Sequence, residues 1–137
     1  MTQITEAIRN PVPTAAFDLQ YCHDFFADLF RSNFFKCLND ETRQKIILLV
    51  GQYGENGVRV GDIAQQFELD RTTISHHLSM LRAGNLVSVT RKGKERFYSV
   101  NTDYIITALE KVVEIFKSCR ESCRQDANSS RTFGGAT

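Results

Sequence analysis

The sequence contains no apolar run approaching the roughly 20 residues that a helical membrane span requires. Its N-terminal stretch, MTQITEAIRNPVPTAAF, lacks the apolar core of a secretory signal peptide. Cysteine is scarce, with four residues, and without a signal sequence reduced thiols are expected rather than a disulfide framework. The expected location is therefore the cytoplasm, with no membrane partner. There is no glycine-rich phosphate loop, no nucleophile–base–acid set and no carboxylate pair outside solvated helices, so an enzyme is not expected. Internal repeats are also missing. A strong overall charge is absent too: 17 Lys and Arg face 16 Asp and Glu, a net of +1. What remains is a 137-residue chain, 42% hydrophobic and 24% charged, which is the composition of one soluble globular domain.

The near-zero total conceals a segregation. Residues 1–70 carry six basic against ten acidic side chains, residues 71–96 carry six against one, and residues 97–137 balance at five each. The +5 segment lies within residues 60–100, VGDIAQQFELDRTTISHHLSMLRAGNLVSVTRKGKERFYSV. Ile63, Ala64 and Phe67 give a first short helix one apolar face. Leu69-Asp70 breaks it, and Asp70 can cap a second helix through the backbone N–H of Thr72 or Thr73. Ile74, Leu78 and Leu81 recur at helical spacing. The opposite face carries Arg71, Thr72, Thr73, Ser75, His76, Ser79 and Arg82, side chains suited to base edges and phosphates in a major groove. Leu86–Arg91 and Glu95–Val100 then read as a hairpin around Lys92-Gly93-Lys94, with Arg91, Lys92, Lys94 and Arg96 at its tip. A charged hairpin could be mere solvated surface. The agreement of helix pattern, cap and charge favours a DNA-binding helix-turn-helix with a basic wing.

Around this module, residues 1–13 read as a flexible arm and residues 14–124 as the folded domain. The tail, 125–137, is polar and glycine-rich and reads as disordered. Six of the ten phenylalanines lie between positions 17 and 35. A helix from about Thr14 to Arg31 would carry Phe17, Tyr21, Cys22, Phe25, Phe26, Leu29 and Phe30, with Phe34 and Phe35 extending its face. A buried helix over Thr42–Tyr53 follows. The last helix, from Asn101 or Thr102 to about Arg124, places Ile105, Leu109, Val112, Phe116, Cys119 and Cys123 at alternating four- and three-residue steps. The fold expected is mainly α with a small β-hairpin wing, dimerising through its N- and C-terminal helices on double-stranded operator DNA.

The segments LNDETRQKIILL (38–49), DRTTISHHLSMLRAGNLV (70–87) and VTRKGKERFYSV (89–100) resemble the ArsR/SmtB family of winged-helix bacterial repressors. The likeness covers roughly residues 25–123. It implies a homodimeric repressor in the bacterial cytoplasm, associated with DNA, released from its operator by an inducer, with Thr72, Thr73, Ser75 and His76 meeting DNA. The family's best-known sensor motifs are mostly missing. Its paired cysteines at the start of the first DNA-binding helix are replaced within Gly57–Ile63. Its zinc-type positions on the last helix correspond to Asp103, Ile105, Phe116 and Cys119, and its persulfide-sensing cysteine to Leu48.

The remaining candidates for sensing are Cys119, Cys123 and Cys22, with Cys37 placed last. Cys119 and Cys123 stand one helical turn apart, about 5–6 Å between Cβ atoms. That separation exceeds the roughly 3.5–4.5 Å of a disulfide, so a soft ion bridging two thiolates fits better. Thiolates without imidazole or carboxylate suit arsenite, antimonite, cadmium or mercury. No obligatory cofactor is expected. Two alternatives stay open: the same cysteines as a redox or reactive-sulfur switch, or a regulator without a small-molecule sensor, controlled at its aromatic helix by a protein partner.

Overall fold

The computed structural model describes residues 19–134. The expected arm, the start of the aromatic helix and the end of the tail lie outside the described residues. The elements are α1 (Leu19–Arg31), α2 (Phe34–Leu38), α3 (Glu41–Gly51), a 3-10 turn (Gly54–Asn56), β1 (Val58–Arg59), α4 (Val60–Phe67), α5 (Arg71–Ala83), β2 (Val87–Lys92), β3 (Glu95–Val100) and α6 (Thr102–Gly134). Among the described residues two compact units arise, residues 27–105 and residues 19–26 with 106–134.

Residues 27–105 form a winged helix-turn-helix. Asp40 caps α3, its Oδ1 accepting from Arg43 N at 2.9 Å, and Ile46 and Val50 are buried one turn apart. Glu68, in the left-handed region at φ 54°, ends α4 and turns the chain into α5. Ile74, Leu78 and Leu81 of α5 are fully buried with Phe34, Ile46, Val50, Ile63, Leu86 and Val87. Burying each such side chain contributes about 1.5–3 kcal/mol before the entropy of ordering it is charged. The buried Arg43 side chain is satisfied by Nε donating to Cys37 O at 2.6 Å and Nη1 to Met80 Sδ at 3.4 Å, tying α3 to α2 and α5.

The wing is an antiparallel hairpin with Val87 opposite Val100 and Lys92 opposite Glu95. The sheet has a third strand that the sequence reading did not anticipate. β1 pairs with β3, setting Val58 opposite Tyr98 and Arg59 opposite Phe97. A second difference lies at Ser32-Asn33, where Ser32 Oγ donates to Leu29 O at 2.6 Å and Asn33 adopts φ 65°. Phe34 and Phe35 therefore belong to α2, from which Phe35 still packs on Phe30 of α1, ring centroids 5.2 Å apart.

The other unit contains residues 19–26 and 106–134. Cys22, Phe25, Ala108, Lys111 and Ile115 are buried. Phe26 meets Phe116 edge-to-face at 5.8 Å, and Lys111 Nζ donates to Tyr21 OH at 3.5 Å. Burial pushes the Lys111 ammonium below, and the Tyr21 phenol above, its ordinary pKa. The stripe of α6 buried within the chain is thus Ala108–Lys111–Ile115. Of the expected seam, Leu109 stays 44% and Phe116 62% exposed, with Ile106 and Val113 beside them. The helix also continues to Gly134, past the expected end near Arg124 and into the tail expected to be disordered. No proline intervenes, and extending an existing helix costs far less than starting one.

Candidate nucleic-acid interface

The recognition helix is set by its cap and its buried stripe. Asp70 Oδ1 accepts from Thr73 N at 2.7 Å, and this bond from the backbone is the main reason its carboxyl lies below the usual aspartate range. With Ile74, Leu78 and Leu81 held inward, Arg71, Thr72, Ser75, His76, Ser79 and Arg82 stand exposed on the other side, while Thr73 is half-buried. His77 is half-buried, and its Nδ1 has no hydrogen-bond partner. The second helix therefore presents short polar side chains and two arginines outward.

The wing lines two clefts with that helix. Arg71 and Ser75 face Lys94 and Arg96 around a cleft of about 320 Å³. Arg82, Arg91 and Arg96 surround a second, of about 350 Å³, floored by Val89. Arg96 lines both. Lys92 Nζ lies 4.9 Å from the Phe97 ring centroid, a cation–π contact that keeps its charge at the tip. Among the described residues, none of Arg71, Arg82, Arg91, Lys92, Lys94 and Arg96 is in a salt bridge. Cations left without acidic partners are what phosphate neutralisation uses.

Arg82, which the sequence already places on the outward face, lies along one side of the helix with Arg71 and Ser75. Arg59 escaped the sequence reading, because the strand that places it beside the wing forms only through pairing with β3. Its Nε donates to Asp62 Oδ2 at 3.0 Å and its Nη1 to Glu95 Oε1 at 2.8 Å.

The thiols are less concentrated than the sequence suggested. Cys22, Cys37, Cys119 and Cys123 form no disulfide. Among the described residues, no group of three or more His, Cys, Asp or Glu side chains could hold a metal ion. One chain therefore does not gather Cys22 with Cys119 and Cys123. Cys37 is 1% exposed, its Sγ donates to Phe34 O at 3.3 Å, and burial pushes its thiol pKa up. It is a packing residue of residues 27–105. Cys119 is half-buried and Cys123 exposed. At the zinc-type positions, Asp103 and Phe116 are exposed and Ile105 is half-buried.

The family model described as bacterial regulatory protein, arsR family, matches residues 40–89. The transcriptional repressor SdpR of Bacillus subtilis (strain 168) is 42% identical over 72 residues, 52% of this chain and 76% of that protein. A cadmium resistance transcriptional regulatory protein CadC homolog of Staphylococcus aureus is 34% identical over 77 residues, 56% of this chain but 62% of its own length. The solution structure of the homodimeric winged helix-turn-helix DNA-binding domain Mb0332 from Mycobacterium bovis superposes with a TM-score of 0.54 at 25% identity, over 77% of this chain and 89% of that one. No helix among the described residues is long and apolar enough to cross a membrane. Capped recognition helix, basic wing and matching relatives converge: the chain belongs to the arsR family of bacterial regulatory proteins and is a DNA-binding transcriptional regulator, not an enzyme.

Proposed function

We propose that this chain is a cytoplasmic, homodimeric repressor that leaves its operator when a soft metal or metalloid ion binds Cys119 and Cys123. The observation that carries the operator reading is the set of six exposed cations on α5 and the wing without a carboxylate partner. The dimer reading rests on Ile106, Leu109, Val113 and Phe116, an exposed apolar stripe at three- and four-residue steps. A stripe of that spacing on a long helix is self-complementary across a two-fold axis. Mb0332, which superposes on this chain, is homodimeric.

The inducer reading rests on two thiols one turn apart on the same helix. A single chain supplies two of the three thiolates that a trivalent metalloid takes, and the third would come from the second copy. Relatives bearing the names of cadmium and arsenic resistance regulators support a soft ion over zinc.

The test begins with duplexes enriched from a random-sequence library by the wild-type protein. Arg91→Ala/Lys92→Ala protein should bind every duplex more weakly and with a shallower salt dependence. Ser75→Ala or His76→Ala should instead narrow the preference for the enriched duplex. Titration with arsenite or cadmium should release wild-type protein about 5–150-fold, the range of a typical allosteric coupling. Cys119→Ser/Cys123→Ser protein should not respond, and zinc should act poorly. Release by oxidants alone would replace the soft-ion reading with the redox one.

A further inference from the structure

Glu95 is the one carboxylate between positions 71 and 96, and it stands at the wing tip between Lys94 and Arg96. Left to itself it would repel the phosphates that its neighbours attract. It is instead turned to Arg59. Arg59 pairs opposite Phe97 in the β1–β3 ladder, so Glu95, two residues before Phe97, shares its face of the sheet. The same guanidinium reaches Asp62 in the first turn of α4. One side chain thus ties the start of the helix-turn-helix to the end of the wing.

Besides the strand ladder and the Lys92–Phe97 contact, the tip itself works against a fixed position. Arg91 and Arg96 lie directly opposite each other, a like-charge pair that weakens the hairpin there. Gly93, at φ 66°, has open space around it. We infer that Arg59 is a positioning residue for DNA binding: by holding Glu95 and Asp62 together it fixes the wing against the first helix of the helix-turn-helix and draws the wing's negative charge away from the phosphate path. This rests on the operator reading above.

Three variants separate bridging from bare charge: Arg59→Lys, Arg59→Gln and Glu95→Gln. Each is titrated against a duplex enriched by the wild-type protein and a scrambled duplex of the same composition, over a range of salt. Lysine keeps the charge but cannot bridge two carboxylates with a fixed fork. Arg59→Lys should therefore lose about three- to tenfold in preference for the enriched duplex, the size that one or two exposed charge contacts carry, with its salt dependence unchanged. Glu95→Gln should bind the scrambled duplex more tightly than wild type while losing the same preference. Thermal unfolding midpoints should stay at the wild-type value.

The inference is overturned if Arg59→Lys matches wild type and Arg59→Gln weakens both duplexes equally, since Arg59 is then one more phosphate contact. It is overturned equally if the loss tracks a fall in unfolding midpoint. A wild-type protein that enriches no duplex would remove the operator reading, and this inference with it.

Discussion

A methyl group placed on Gly84 would overlap the thiol of Cys37 and lie 3.0 Å from the carbonyl oxygen of Asn33. Gly84 immediately follows α5, so the recognition helix ends against α2 with no room for a side chain. Gly84→Ala should cost about 1–3 kcal/mol, as overpacking of a full core does. Adding Cys37→Ala should restore part of that loss and leave the part due to Asn33. Urea unfolding of the two single variants and the double variant measures the coupling, and strictly additive losses would refute the contact.

Burial raises the Cys37 pKa, and the sign of the pH effect follows. A raised acid pKa in the folded state means that the stability from the neutral thiol is complete below the ordinary thiol pKa and is lost as pH rises through the raised value. Wild-type protein should therefore lose stability on the alkaline side in a way that Cys37→Ala protein does not. In native protein Cys37 should also be alkylated after Cys123, as mass spectrometry of partially modified samples would show.

Asp70 works at the opposite end of the scale. Its carboxyl lies below the usual range, so the cap is complete above the ordinary aspartate pKa of about 4 and is lost as pH falls through the lowered value. Asp70→Asn keeps a capping oxygen that does not titrate. Its melting temperature should be the flatter of the two in acid, whereas Asp70→Ala should melt lower throughout. Melting curves from pH about 3 to 6 decide this.

Leu109→Asp places a charge in the exposed stripe of α6. If that stripe joins two copies, the carboxylate would be buried unpaired and the dimer would fall apart. Sedimentation should then show monomers, with far weaker binding to an enriched duplex, because half-site reading needs a fixed spacing between two recognition helices. An intact dimer would count against the stripe.

The recognition helix, its Asp70 cap and the hairpin were legible because their signals are local. Ile74, Leu78 and Leu81 declare a helical period, and Gly93 sits where a turn needs positive φ. Arg71, Ser75 and the four wing cations followed from that frame, since fixing the buried face of an element also fixes the exposed one. The α6 stripe was only half legible. Two apolar sets share that helix, and spacing cannot say which the chain itself covers.

By itself, then, the sequence determined the helix-turn-helix, the wing and the positive charge on both. Periodicity, capping and charge are properties of neighbouring residues and need no partner from elsewhere in the chain. The tertiary structure alone decided that Val58–Arg59 is a strand, that Lys111 rather than Leu109 is buried, that Cys37 fills the space beneath Gly84, and that Arg59 holds Glu95. Each of these joins residues distant in sequence or chooses between faces of equal apolar content. Only the packing of the whole chain supplies the energy that makes that choice.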